Sequence, residues 1–295
     1  VEVTRATLHP LIYGARSSIG TPLLADLCAR GAAVRAVSRQ SVSNQLTTGG
    51  LRWTQAALPH APALTGDITH LISLGPGDRF LDWLRQQSPQ PALRQIIALG
   101  STSADTKIAS SSSAERDLAQ HLRAVQHGIA REAKRLGVPW TLLRPTLIYG
   151  GADDSVARIG RWIRRRRVYP WLLGSGANTR RQPVHAHDLA RAVDLCMDCE
   201  RSFDSTFDLP GGETLSFRDF ICRIASASGR IAMPIPIPLG PALHALGRLS
   251  LLAPSAALDA SAATRVQRDQ VFDASAARLA FGYAPRAFAP DASTW

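Results

Sequence analysis

Over the first half of the chain, apolar runs of strand length alternate with segments whose apolar residues recur at helical spacing. That alternation predicts a parallel sheet covered by helices. The first run, 6–13, ends at Gly14. Ile19, Leu23, Leu24 and Leu27 then share one face of a helix predicted from Ser18 to about Arg30, which Gly31 terminates. Further strands are predicted at 33–38, 51–54, 70–74, 95–99 and 140–143. Ahead of the last of these, Ser112-Ser-Ala-Glu115 has the spacing of a capping box and opens a helix that reaches about Leu136.

Beyond Gly150 the pattern changes. An arginine-rich helix is predicted over 155–167, then the turn Gly174-Ser-Gly176, a helix over 188–198, an extended stretch at 207–209 before Gly211-Gly212, and a helix from Phe217 to about Ser228. Proline alternates with isoleucine over 234–238 and excludes a helix there. The stretch 239–252 is apolar and helical in period, interrupted by Gly247 and Arg248. It either covers a hydrophobic pocket or the core, or touches a membrane surface. No internal repeat is visible.

Composition narrows the class. In 295 residues, 45% hydrophobic and 19% charged content excludes a disordered chain, and 22 Gly with 19 Pro excludes a collagenous one. No apolar run is long enough to cross a bilayer. The balance of 34 Lys and Arg against 23 Asp and Glu gives a net charge of +11, nearly all of it arginine, since Lys107 and Lys134 are the lysines. Arginine grips phosphates with two donors at once, so anionic small molecules, nucleic acid and acidic membranes are candidate partners. The same bias equally reflects genomic base composition. Of the four cysteines, Cys196 and Cys199 form a C-x-x-C within the predicted 188–198 helix region, without the second pair that a zinc site needs. The opening Val1-Glu-Val-Thr-Arg5 lacks the apolar region of a signal peptide, so a cytoplasmic protein is expected.

The strongest chemical signal is a strand, then Gly14-Ala-Arg-Ser-Ser-Ile-Gly20, then a helix. That arrangement receives a dinucleotide pyrophosphate: backbone N–H groups and the positive helix end face the phosphates, and small residues let the chain come close. Arg16, Ser17, Ser18 and Ile19 lie inside the turn, and Ser17 stands where a G-x-x-G-x-x-G frame has its middle glycine. The second strand ends Val37-Ser38-Arg39, where NAD sites carry an acidic residue for the ribose hydroxyls. A hydroxyl and a guanidinium suit a 2′-phosphate instead, and Arg16 is placed to join them. The expected cofactor is NADP or NAD, with NADP favoured. Solvated surface arginines are the alternative reading.

Four further stretches follow in order: Ser101-Thr102-Ser103, Leu143-Arg144-Pro145-Thr-Leu-Ile-Tyr149-Gly150, Arg181-Gln-Pro-Val-His185-Ala-His-Asp188-Leu189 and Phe207-Asp-Leu-Pro-Gly-Gly-Glu213. Together with the glycine turn they resemble the extended short-chain dehydrogenases/reductases, including the NAD-dependent epimerase/dehydratase group that acts on nucleotide sugars. The resemblance runs over nearly the whole chain, and 181–189, similar to the family's R-x-x-I-H-V-x-D-L, is its most specific part. It implies an α/β fold of Rossmann type, a doubly wound parallel sheet with a smaller C-terminal substrate-binding lobe. The dinucleotide-binding core would occupy 1–150 and the lobe 151–295, with elements returning to the core.

By that resemblance Gly14, Ser17, Ile19 and Gly20 line the pyrophosphate, Leu74 and Gly75 pass under the adenosine ribose, and Pro145 and Thr146 lie near the nicotinamide. Arg181 is implied to hold a substrate diphosphate. His185 and Asp188 are expected to be structural, the first ending a strand and the second at a helix N-terminus, where a carboxylate is favourable. His187 beside them lacks a ligand cluster for a metal. The implied partner is a small anionic substrate rather than nucleic acid, and a homodimer is compatible with it.

One part of the family pattern is missing. The family places Tyr-x-x-x-Lys early in the helix before the sixth strand, facing a hydroxyl after strand five. The four tyrosines are Tyr13, Tyr149, Tyr169 and Tyr283, and none has a lysine four residues on. Counting back from Gly137 and Arg144 puts Ala119 and Arg123 at those places, to about one helical turn. Thr102 and Ser103 remain as catalytic candidates, with Lys107 as a further proton donor on the following loop. Three functions stay open: an atypical NAD(P)-dependent epimerase, dehydratase or reductase; a non-catalytic NAD(P)-binding sensor or assembly module; and, on charge alone, a nucleic-acid or membrane-surface binder.

Overall fold

A computed structural model of the chain describes residues 8–40, 50–110, 112–238 and 268–292. The predicted apolar stretch 239–252 and the first two residues of the predicted opening strand lie outside them.

Seven parallel strands form the central sheet: β1 (Pro10–Tyr13), β2 (Arg35–Ser38), β3 (Arg52–Gln55), β4 (His70–Ser73), β5 (Gln95–Leu99), β6 (Trp140–Pro145) and β11 (Ser205–Leu209), in the spatial order β11-β6-β5-β4-β1-β2-β3. The order reverses between β1 and β4, which pair in register from Pro10↔His70 to Tyr13↔Ser73. In a doubly wound sheet that reversal opens a crevice beyond the carboxyl ends of the strands. The sheet is apolar on both faces, as buried parallel strands must be. Ile12, Ala36, Ile72, Ile97 and Leu143 pack on one side under α1 (Gly20–Ala29), α6 (Ala186–Cys196) and α8 (Ser275–Phe281). Leu11, Tyr13, Val37, Leu71, Ile96 and Leu142 pack on the other, under α2 (Gly77–Leu84) and α4 (Ser113–Arg135).

A third cluster lies beyond the sheet edge. It joins α5 (Ser155–Arg166) to α7 (Phe217–Ala227) through Val156, Ile163, Phe220 and Ile224. Around it are α3 (Ser103–Thr106) and the short strands β7 (Ile148–Tyr149), β8 (Val168–Leu173), β9 (Arg180–Arg181), β10 (Val184–His185), β12 (Leu215–Ser216) and β13 (Met233–Pro238).

The structure corrects several local expectations. Ser112 is the N-cap of α4, but its hydroxyl makes no capping bond. Glu115 instead accepts from the Ser110 hydroxyl at 2.6 Å, so the capping box does not form. α6 stops at Cys196, and the left-handed Asp198 (φ 55°) puts Cys199 outside it. The two thiols donate to the carbonyls of Val193 and Ala280 and serve as buried packing. The proline-alternating stretch is strand β13, paired in parallel with β8. Among the described residues α2, α3 and α8 escape the sequence pattern. None spans more than about two turns, too short for a helical period to show.

α2 nonetheless supplies the largest fully buried side chain, Trp83, which stands edge-on to Tyr13 with ring centroids 5.0 Å apart. Its indole N–H donates to the Ala61 carbonyl at 3.1 Å. Trp83→Ala should cost about 3–5 kcal/mol in urea denaturation, from lost burial and the cavity left behind. Trp83→Phe should cost far less. Equal losses for the two would mean that the indole hydrogen bond, not the packed volume, holds α2.

Candidate functional site

β1 hands over to α1 through a turn that only small residues can make. Gly14 has φ +78°, and a Cβ there would stand 3.0 Å from the Leu74 carbonyl carbon. A Cβ on Gly20 would fall 2.5 Å from the Gly14 carbonyl oxygen. Ser17 closes the turn: its N–H donates to the Gly14 carbonyl at 2.9 Å and its hydroxyl accepts from the Gly20 N–H at 3.0 Å. A serine can therefore stand where the glycine frame has its middle residue. Among the described residues the N–H groups of Ser18 and Ile19 find no acceptor. They stand at the open N-terminus of α1, at the strand-order reversal, where an anion is favoured by both free donors and helix dipole.

The neighbouring predicted residues gather around this turn. Leu74 is buried at the end of β4, its N–H donating to the Tyr13 carbonyl at 2.9 Å, and Gly75 follows with open space above it. At the end of β2, Ser38 is buried and its hydroxyl accepts from the Gln40 N–H at 3.2 Å. Arg16 reaches across to the same residue, donating to Gln40 Oε1 at 3.0 Å. Arg39 beside them is exposed. Arg16 and Ser38 thus both bond to Gln40, which directly follows Arg39.

A loop that the sequence did not single out closes the other side. Gly151 lies so near the turn that a Cβ on it would come within 2.8 Å of the Ser18 Cβ. Asp154 fixes this loop, accepting from Gly151 N–H at 2.7 Å and capping α5 through Ala157 N–H at 2.8 Å. Between loop and turn runs an open cleft of about 580 Å³, walled by Arg16, Ser18, Thr21, Asp153 and His187. The signal for Asp154 was present in the sequence as an aspartate directly before an apolar-periodic helix.

Over β5 and β6, one of the catalytic candidates is engaged by backbone. The buried Thr102 hydroxyl donates to the Pro145 carbonyl at 3.1 Å. Thr146 donates to the Gln182 carbonyl. The half-buried Ser103 opens α3, its N–H bonded to the Ser101 hydroxyl at 3.1 Å. Lys107 closes α3 rather than lying on a free loop, its ammonium 3.9 Å from the Glu115 carboxylate.

The face of α4 turned to these residues carries Ala119, fully buried, then Arg123, then Gln126, whose amide donates to the Ser101 carbonyl at 3.3 Å. Arg123 contacts Asp105 of α3 at 2.7 Å, Asp105 contacts Arg144 at 2.7 Å, and Arg144 contacts Asp208 of β11 at 2.7 Å. An alternating chain of charges therefore spans α4, α3, β6 and β11. Burial opposes ionisation of Asp105, but hydrogen bonds and charge from Arg123 and Arg144 outweigh it and hold its carboxyl below the usual range. A carboxylate held ionised in this way is a poor proton donor near neutrality.

The four tyrosines are committed elsewhere. Tyr13 packs on Trp83 and Phe80, Tyr149 accepts from the Ala289 N–H at 3.2 Å, and Tyr283 donates to the Pro210 carbonyl at 2.8 Å. Tyr169 packs against the third cluster. Burial raises the hydroxyl pKa of Tyr13, Tyr149 and Tyr283.

His185 ends β10 and caps α6, its Nδ1 accepting from the His187 N–H at 3.1 Å. Asp188 receives both the backbone N–H and the guanidinium of Arg286, at 3.0 and 2.9 Å. Both hold structure, and among the described residues no group of three or more His, Cys, Asp or Glu could hold a metal ion. Arg181 is buried in β9, donating to the carbonyls of Arg180 and Arg268 at 2.8 and 2.6 Å, with its guanidinium over Phe217. Burial pulls its pKa down, and the nearby Asp269 partly restores it.

No protein-family model and no curated protein matches the chain. Solved structures do. MoeE5 in complex with UDP-glucose and NAD superposes with a TM-score of 0.65 over 95% of this chain and 94% of that one, at 18% identity. UDP-glucuronic acid 4-epimerase from Bacillus cereus, in complex with NAD, gives 0.67 over 95% and 94%, at 14% identity. UDP-glucose 4-epimerase from Thermotoga maritima, with UDP-glucose, gives 0.63 over the same shares, 95% and 94%, at 15% identity. The chain has the Rossmann-type α/β fold of these structures over nearly its whole length. Among the described residues no helix is long and apolar enough to cross a membrane.

The ion chain carries a pH signature. Because the folded state depresses the Asp105 pKa, its contribution is fully present above the unfolded carboxylate value of about 4 and is lost as pH falls through the folded value. Asp105→Asn should therefore be less stable than wild type at neutral pH, with the gap closing on acidification. Chemical denaturation at a series of pH values measures it. A gap independent of pH would show that the carboxylate charge is not what stabilises this corner.

Proposed function

We propose that the chain binds a nicotinamide dinucleotide across the β1/β4 crevice and works without tyrosine-driven hydride chemistry, as an NAD(P)-binding sensor or assembly module. The carrying observation is the pair of unbonded N–H groups, Ser18 and Ile19, held between Gly14 and Gly20 at the start of α1. These residues fit a pyrophosphate, which would accept from both donors. Leu74 and Gly75 would lie under the adenosine ribose, and Pro145 and Thr146 beside the nicotinamide. When bound, the dinucleotide would supply a hydride donor or acceptor. Three positions beside it supply no acid: Ala119 has no proton to give, Arg123 is paired with Asp105, and Thr102 donates to a carbonyl.

Arg16, Ser38 and Arg39 support NADP(H) over NAD(H), since they would present guanidinium groups and no carboxylate to the ribose. Calorimetric titration should show tighter binding of NADPH than of NADH. Arg39→Ala should weaken NADPH binding several-fold and leave NADH nearly unchanged. Equal or tighter NADH binding by the wild type overturns the preference, and no binding of either dinucleotide overturns the function.

A second reading, an atypical epimerase, dehydratase or reductase acting on an anionic nucleotide-sugar substrate, is supported by the match over the substrate lobe. In it Ser103, Thr102 or Lys107 would replace the tyrosine, and Arg181 would hold the diphosphate. General acid–base help is worth about 10²–10⁴ in rate. With saturating dinucleotide and UDP-glucose or UDP-glucuronic acid, turnover should accordingly be absent or slower by that factor than in a tyrosine-bearing epimerase. A full rate that falls in Thr102→Ala/Ser103→Ala establishes the second reading against the first.

A further inference from the structure

β13 is the outer strand of the ribbon it forms with β8, and all of its residues except Ile237 are exposed. Residues opposite one another in a parallel pair share a face, and alternate residues point to opposite sides. Tyr169 packs on the third cluster, and Trp171 lies under the Arg218 guanidinium of α7 at 4.7 Å. Pro234 and Pro236, their partners, share that face but are themselves exposed. The opposite face carries Val168, Pro170, Leu172, Met233, Ile235 and Ile237, all apolar. Exposure rises along it from the buried Leu172 to 45% at Ile235 and 69% at Met233, and Ile231 just before the strand is 93% exposed.

The outer edge of this ribbon cannot be covered by another strand. Met233 N–H points inward, donating to the Arg167 carbonyl at 2.9 Å, and by alternation the N–H positions of 234, 236 and 238 point outward. All three are proline, so that edge has no donors. A β-strand partner is thereby excluded on this side.

The exposed end of the face meets the densest charge in the chain. Arg167, whose carbonyl holds Met233, ends a run of four arginines from Arg164. On the outer stripe of α5, Trp162 is 47% exposed and lies at spacings of three and four from Arg158, Arg165 and Arg166. Arg161 contacts Asp153, but among the described residues Arg158 and Arg164–Arg167 have no acidic partner. α5 and β8 both pack on α7, and each turns its free face away from it. Adjacent arginines repel one another, and a helix C-terminus favours only a charge or so. A dense anionic surface next to aliphatic side chains would relieve both conditions.

We propose that this surface, Ile231, Met233 and Ile235 beside the arginine run Arg164–Arg167, docks on an anionic lipid bilayer. The aliphatic side chains would enter the interface, and the arginines would meet phosphate headgroups. Nucleic acid fits the arginines but not Ile231, Met233 and Ile235, which offer bases no stacking face.

Co-sedimentation tests this directly. The chain should pellet with vesicles of equal parts phosphatidylcholine and phosphatidylglycerol and stay in solution with phosphatidylcholine alone. Arg165→Glu/Arg166→Glu should lower partitioning about 25-fold or more, at roughly a factor of five for each arginine near an anionic leaflet. Met233→Glu/Ile235→Glu should abolish it, with thermal melts confirming that each variant is folded. Independently of those variants, a polarity-sensitive fluorophore on Met233→Cys, in a chain carrying Cys28→Ser, Cys199→Ser and Cys222→Ser, should shift to the blue on anionic vesicles. The same label on Leu279→Cys, exposed on α8, should not. No partitioning, or equal partitioning onto neutral vesicles, overturns the proposal. So do duplex DNA displacing the vesicles without a probe shift, a probe shift that grows with protein concentration in the absence of lipid, and a label at Met233 that a soluble quencher cannot reach.

Discussion

The approach of α1 onto the end of β1 sets the geometry on which the rest of the site depends. The Gly14 carbonyl lies where a Cβ on Gly20 would be, 2.5 Å away, so strand and helix can meet this closely only through glycine. Ser17 then spends its own N–H and hydroxyl on locking the turn. Among the described residues the N–H groups of Ser18 and Ile19 are left without an acceptor. Because β1 is also the strand at which the sheet order reverses, those donors open into the crevice rather than onto a helix layer.

The opposite side of the crevice is built on charge. Asp105 joins Arg123 to Arg144, and Arg144 joins Asp208, so α3, α4, β6 and β11 are tied by paired ions at one level. Isolated exposed pairs such as Arg85–Asp82 add little to stability, whereas a half-buried network of charge-assisted hydrogen bonds fixes orientation as well as contributing energy. Its consequence is chemical. Groups that would otherwise be free to move a proton are held in fixed charge states. The C-terminal segment is held by the same kind of contact: Arg286 on Asp188, the Phe288 carbonyl accepting from Arg223, and Tyr283 on the Pro210 carbonyl.

Much of this was legible in the sequence because local physics decided it. Six of the seven sheet strands, α1, α4, α5, α6 and α7 announced themselves in the sequence pattern, β11 only as an extended stretch, and Gly14–Gly20 by glycine spacing after a strand. His185 and Asp188 stand where their positions in 181–189 implied, one ending a strand and the other in the first turn of a helix. The absence of a tyrosine before β6 is a property of composition and needed no coordinates.

What the sequence could not determine depends on partners far along the chain. Ser112-Ser-Ala-Glu115 has capping spacing, yet Ser110 captures Glu115, because a competing hydroxyl is settled by packing and not by spacing. Arg16 and Gln40 are distant in sequence from one another and meet only once β1 and β2 lie side by side. The ion chain through Asp105 links residues up to a hundred positions apart, and no local signal distinguishes Arg123 paired from Arg123 free. Arg181 reads as a phosphate ligand from its motif, while its burial under Arg268 follows from how β9 and the returning chain close over it. The sequence by itself determined the elements and the anion-receiving turn, since those follow from period, glycine and helix ends. Only the tertiary structure decided which charges are neutralised and which remain free, because a charge is set by its neighbours in space.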